Sequence, residues 1–274
     1  MVELADSHCH IQSIGASVGE TMTRELWSKS VLTANDVLQR AREAQVTRLL
    51  VVGCDVDDSA LATEFAAHHD SVWASIGIHP HEASRFVNDE AALKTLAALA
   101  ALPKVVAIGE CGLDYYYEHS DRTAQAHILE FQLALAAQHD LPVVFHVRDA
   151  FDDFWPIFER FTAAGKKLRG VLHSFTDSPA NLERALSHGL YIGVNGIATF
   201  TKNGAQQAMY RTIPLDKLLL ETDAPFLTPA PYRGTICEPK HVRATAEYLA
   251  QARHESLADL AAASTKNFKE LFGV

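Results

Sequence analysis

The chain has 274 residues, 48% of them hydrophobic, and a formal net charge of −10 from 24 Lys and Arg against 34 Asp and Glu. This composition supplies a sizeable core and excludes global disorder. The acidic balance excludes a protein that coats nucleic acid through a broadly basic face.

The opening residues MVELADSHCH run straight into a strand pattern, with no basic segment and apolar stretch of a signal peptide. Apolar runs then recur at 48–54 (RLLVVGC), 72–78 (VWASIGI), 105–110 (VVAIGE), 142–147 (PVVFHV), 170–174 (GVLHS), 190–195 (LYIGVN) and 217–223 (KLLLETD), after the first at 2–9. Most are apolar almost throughout, as parallel strands buried on both faces are. Between them lie segments of helical period: 34–45, the Leu93, Leu96, Ala97 and Ala100 set, and 127–138. Asp58, Asp121 and Ser178 are expected as helix caps. Eight strands alternating with helices predict an α/β fold, a single (β/α)8 TIM barrel occupying residues 1–274 as one domain. An open doubly wound sheet competes, but no GxGxxG turn follows the first strand. Residues 11–33 are long for a connection after a first strand and are expected to cross the barrel mouth. Residues 224–239 are proline-rich and read as a loop; the C-terminal segments read as helices closing the barrel. No run reaches the about 18 apolar residues that span a bilayer. The four cysteines form no CxxC pair, which argues against a disulfide framework and for a cytoplasmic location.

Function in such a barrel sits at the C-terminal strand ends. The first strand ends in Asp6-Ser7-His8-Cys9-His10, whose alternation points His8 and His10 to one face and Cys9 to the other. The fourth strand ends in Glu110, the fifth carries His146, the sixth His173, and the eighth ends in Asp223. A lone histidine is usually a surface or hydrogen-bonded residue, and His68, His69, His119, His127, His139, His188 and His254, read as lying on helices or helix ends, are given no role. Six ligand types at one end of five strands are another matter. Four imidazoles and two carboxylates suit Zn²⁺, Mn²⁺, Fe²⁺ or Co²⁺, with Mg²⁺ favouring oxygen. Six ligands exceed the need of one catalytic ion with an open position, so two ions are expected, with Glu110 as the bridge. Cys9 and Cys111 are expected to face away from the cavity.

With these residues in view, the sequence resembles the TatD family of metal-dependent deoxyribonucleases, within the amidohydrolase-like barrels. The resemblance rests on DSHCHI (6–11), GIHPH (77–81), AIGECGLDYY (107–116), LPVVFHVRDA (141–150), VLHSFTDS (171–178), LLLETDAPFLTPAPYRG (218–234) and NFKELF (267–272). It implies one ion on His8, His10, Glu110 and Asp223, a second on Glu110, His146 and His173, and Mg²⁺, Zn²⁺ or Mn²⁺ as the metal. It implies phosphodiester hydrolysis, most directly a 3′-5′ deoxyribonuclease on single-stranded DNA, with DNA as the substrate and no obligatory protein partner. The expected chemistry is attack by a hydroxide activated by two metals, with Asp223 taking a proton and Glu110 bridging. Arg148, His79 and Arg233 are candidates for substrate contact; Tyr115, Tyr116 and Tyr117 are candidates for base stacking, with loop packing expected for at least some of the three. The same centre would also serve an aminoacyl-tRNA deacylase or a small-molecule amidohydrolase. Two segments depart from the family pattern. Residues 11–33 are longer than expected, and Thr235-Ile236-Cys237 replaces a basic residue and an amide after PYRG.

Overall fold

The computed structural model describes residues 2–117, 119–165 and 168–274. Its eight strands are β1 (Leu4–Cys9), β2 (Val46–Val52), β3 (Val72–Ile76), β4 (Val105–Asp114), β5 (Val143–Arg148), β6 (Gly170–Leu172), β7 (Tyr191–Val194) and β8 (Leu218–Leu220), all parallel and hydrogen-bonded in sequence order. β8 returns to β1 through backbone bonds from Asp223 N to His8 O (2.8 Å) and from His10 N to Ala224 O (2.8 Å). The expected (β/α)8 barrel is thus present.

The helices are α1 (Thr21–Trp27), α2 (Ala34–Glu43), α3 (Val56–Ala67), α4 (Ala83–Phe86), α5 (Glu90–Leu99), α6 (Arg122–His139), α7 (Phe151–Ala163), α8 (Pro179–Ser187), α9 (Ile197–Phe200), α10 (Gly204–Thr212), α11 (Val242–Arg253) and α12 (Leu257–Phe272). Their starts follow local side-chain chemistry. Asp121 and Ser178 cap α6 and α8 as expected, and Thr33 with Asp36 forms a capping box on α2. Asp58 does not cap α3. That cap is Asp55, which accepts from Asp58 N, while the Asp58 carboxylate turns inward to Gln12, Ser13 and the Cys54 amide.

Side chains two apart on a strand share a face. The faces that present His146, His173 and Glu221 therefore carry Val144, Val171 and Leu219 one step below. These join Leu50 and Val52 in a buried cluster with Phe268 and Phe272 of α12. Burial of this kind contributes roughly 1.5–3 kcal/mol per large apolar side chain. The result is a packed floor with the polar residues at the rim above it.

β4 differs from its expected bounds. It continues past Glu110 to Asp114, so Glu110 stands inside the strand rather than at its end. The register against β5 shifts between Ile108 and Cys111. Gly109 (φ 130°) lies within the shift and Gly112 (φ 155°) just beyond it, and a Cβ there would lie 2.4 Å from Val144 O and 1.8 Å from His146 O respectively. Only glycine permits that approach of β4 to β5. The segment after β1 crosses to α1, and the Trp27 indole donates to His10 O at 2.9 Å.

Candidate metal centre

The fold brings the six predicted ligand residues together. His8 and His10 project from the end of β1, and their Nε2 atoms lie 3.2 Å apart. Asp223 Oδ1 lies 3.3 Å from His10 Nε2 and 3.6 Å from His8 Nε2. Asp223 is held there in the left-handed region, at φ 63°, where a non-glycine residue is uncommon and marks a constrained site. Glu110 occupies the centre and divides the histidines between its two oxygens. Oε2 faces His8 Nε2 at 3.3 Å, whereas Oε1 faces His146 Nδ1 and His173 Nε2, each at 2.9 Å. His79 Nε2 lies 3.6 Å from the same Oε1.

Hydrogen bonds to the remaining ring nitrogens fix the tautomers of His10 and His146. His10 Nδ1 donates to Val52 O at 2.9 Å, since a carbonyl only accepts. His146 Nε2 lies 2.9 Å from Asp114 Oδ2. His173 Nδ1 is 3.4 Å from Glu221 Oε1, close enough for charge attraction but without hydrogen-bond geometry. His8 Nδ1 is buried without a hydrogen-bond partner among the described residues. A proton on the outward nitrogen of His10 and of His146 leaves a lone pair on the inward one. This is the arrangement of metal-binding imidazoles backed by carboxylate or carbonyl. Two inward lone pairs 3.2 Å apart on His8 and His10 repel unless a cation or proton lies between them. The donor set therefore fits divalent ions.

The charges agree. Burial works against ionisation throughout, yet Glu110 is held well below the usual carboxylate range by His173, His8 and His79. Burial likewise opposes charge on His10, but Asp223, Glu110 and Asp58 push it up to about 9. His146 is raised, against burial, by Asp114 and Glu110, and His173 well raised by Glu110 and Glu221. His8 moves the other way, lowered by burial and by His173. In the absence of cations, protons compensate the carboxylates, so metal binding here is coupled to proton release.

Of the expected substrate contacts, only His79 joins the cluster. Arg148 is exposed, and its guanidinium lies over Tyr116 and Tyr117, 3.9 and 4.9 Å from the ring centroids; no ion pair with Asp149 occurs among the described residues. Arg233 is also exposed, donating to Thr228 O at 2.8 Å and lying 3.9 Å from the Phe200 centroid. Tyr115 is engaged with Asp153 and Arg122, leaving Tyr116 and Tyr117 exposed. His119 is on the loop after β4, not on a helix, and its ring stacks on Tyr117 at 5.6 Å. Cys9 and Cys111 are buried in apolar clusters away from the ligands, as expected.

Two acids behind the histidines escape a sequence reading. Asp114 accepts from His146, from His81 and from the amides of Tyr116 and Tyr117. Glu221 is fully buried beside His173 and accepts from Ser174 N at 2.5 Å. Glu221 shares with Glu110 the signal of an acid ending an apolar run, and stands two residues before Asp223.

A family model described as TatD related DNase matches residues 5–273. The 3′-5′ ssDNA/RNA exonuclease TatD of Escherichia coli is 36% identical over 264 residues, 94% of this chain and 98% of that protein. An uncharacterized metal-dependent hydrolase, YabD, of Bacillus subtilis is 35% identical over 239 residues, 87% of this chain and 92% of that one. Among solved structures, YJJV, a TatD homologue from Escherichia coli, superposes with a TM-score of 0.85 at 27% identity, covering 100% of this chain and 99% of the other.

Proposed function

Since the chain belongs to the family of TatD related DNases, we propose that it cleaves phosphodiester bonds in nucleic acid, as a 3′-5′ exonuclease on single-stranded DNA. It is a metal-dependent hydrolase of ester bonds. The observation that carries the reading is the division of Glu110 between two histidine sets. In this reading His8, His10, Glu110 and Asp223 hold one divalent ion and Glu110, His146 and His173 a second, with Mg²⁺, Mn²⁺ or Zn²⁺ as occupants. When bound, such a pair activates water and offsets charge on the phosphate oxygens.

The chain's own groups divide the remaining work. Asp223 is 16% exposed at its side chain against 5% for Glu110, so it is the ligand carboxylate that water reaches and the acceptor of the nucleophile's proton. His79 is kept neutral by burial and by His146. Its Nδ1 accepts from His81 N at 3.1 Å, which places the single ring proton on Nε2, facing the cavity. That N–H is a donor for a non-bridging phosphate oxygen. Arg148, braced on its tyrosines, offers a positive charge at the mouth, and the exposed edges of Tyr116 and Tyr117 offer aromatic surface beside it. Arg233 stands on the loop after Asp223 as a further backbone contact. The whole chain, 1–274, acts as one catalytic domain.

The test uses single-stranded DNA labelled at its 5′ end, with Mg²⁺ or Mn²⁺ present or chelated, beside an aminoacyl ester. The expected result is a chelator-sensitive ladder shortening from the 3′ end, abolished by Glu110→Gln (by about 10³-fold or more) with an unchanged circular dichroism spectrum. Ester cleavage without loss of DNA, or wild-type turnover by Glu110→Gln, contradicts it.

A further inference from the structure

The two segments that depart from the family pattern pack on one apolar cluster. Leu32 and Ile236 both lie on the buried cluster that contains Trp27 and Cys237. Between them, on the flank of the barrel, runs a groove of about 810 Å³ bounded by the 29–32 connection, α2, the loop after β8 and the start of α11. Its charge is opposite in sign to that of the chain. Lys29, Arg40, Lys240 and Arg243 line it against Glu238 and Glu247, on a protein of net charge −10. Glu238 is 7% exposed at its side chain and lies beneath two of the cations, 3.3 Å from Arg40 Nη1 and 2.7 Å from Lys240 Nζ. The Glu238 charge is thus covered, while Glu247, 52% exposed at its side chain, pairs with Arg243 Nε at 2.9 Å; four cations against two acids leave the groove with a positive surplus.

An aromatic surface accompanies this charge. Tyr232, 48% exposed, stacks on His241 with centroids 5.0 Å apart and planes at 27°. One ring face is braced and the other is open. The groove walls are tied to the metal centre by short connections. Trp27 donates to His10 O, and Cys237 N to Pro225 O at 3.1 Å, two residues from Asp223.

We infer that this groove binds the sugar–phosphate backbone of single-stranded nucleic acid, namely the part of the strand lying 5′ of the scissile phosphate, with a base stacked on Tyr232. The inference rests on the phosphodiesterase reading above and adds the path of the strand. A cationic channel beside an exposed aromatic ring is what a sequence-tolerant single-strand site requires. It also resolves how an acidic protein grips a polyanion: the positive charge is local and aligned with the substrate rather than spread over the surface.

The test compares the wild-type protein with the double variant Lys29→Glu/Arg243→Glu on two substrates. One is oligo(dT) of about 20 nucleotides, long enough to span several phosphates on an extended single strand; the other is the p-nitrophenyl ester of thymidine 5′-phosphate, which has no strand to lay in the groove. The variant is expected to raise KM for oligo(dT) about tenfold with kcat unchanged. It should also reduce the slope of log KM against log salt by about 1.4, the loss of two single-strand phosphate contacts. Kinetics on the ester should stay as in wild type. An unchanged KM and slope on oligo(dT), or equal losses on both substrates, overturns the inference. If the wild type hydrolyses neither substrate, the phosphodiesterase reading fails instead. The groove is then read by anisotropy of dye-labelled oligo(dT) in chelator, where a tenfold weaker variant supports it and equal affinities overturn it. A duplex of the same length that competes as well as the single strand overturns the single-strand assignment.

Discussion

Asp114 touches no cation in the proposed centre, yet it decides which nitrogen of His146 is available. Its carboxylate draws the Nε2 proton and leaves Nδ1 facing Glu110. Replacing such a partner typically weakens metal affinity 10–100-fold. Asp114→Asn is therefore expected to weaken one of two Mn²⁺ binding steps by about that factor in calorimetric titration, leaving the other unchanged. Two wild-type steps in the variant would remove the positioning role. The convergence of the six residues was legible because alternation along β1 puts His8 and His10 on one face, and because acids and imidazoles end apolar runs. Asp114 was not. Seen from the sequence, the apolar run stops at Glu110, and nothing in Gly109 and Gly112 on either side of it announces a strand bent past its neighbour. Asp58 misled for a related reason: an acid near a helix start reads as a cap, but here Asp55 caps and Asp58 turns inward to Gln12 and Ser13.

The loop after β8 enters α11 through a capped turn, and that cap is pH-sensitive. A short 3-10 turn, Pro239–His241, leads into α11, and His241 Nδ1 accepts from Glu238 N at 3.0 Å. That acceptor exists only on the neutral ring. Burial, with Lys240 adding to it, lowers the His241 pKa to about 4. Its unfolded value is near 6.5, so between these values the unfolded chain binds the extra proton. Stability from this group is fully present above pH 6.5 and is lost as pH falls toward 4, by about 2 kcal/mol between pH 7 and 5. His241→Asn keeps an acceptor without the titration. The loss of urea stability from pH 7 to 5 should be smaller in this variant by about that amount; equal losses would show that His241 does not titrate in this range. The existence of the elements was legible from apolar runs and helical period, since β2, β3, β5 and β7 fall where the runs do. The packing of 11–33 and 235–237 on one apolar cluster was not, because irregular segments carry no period from which a partner is read.

At the scale of the molecule, eight apolar runs separated by helical segments sufficed to indicate a closed parallel barrel, and closure is what carries residues from five strands to one rim. Overall charge was a poorer guide. A net charge of −10 argued against a basic nucleic-acid surface, yet Lys29, Arg40, Lys240 and Arg243 gather along one groove. The packed floor of Val144, Val171, Leu219 and Phe268 keeps the rim fixed beneath any exchange of ligand. Metal binding should therefore leave the barrel unchanged and order only the side chains above it. The most direct measurement is anomalous scattering from crystals grown with Mn²⁺. Two peaks about 3.5–4 Å apart, one beside each oxygen of Glu110, are the expected result. A single peak, or manganese bound away from His8, His10, His146, His173 and Asp223, would contradict the two-ion centre.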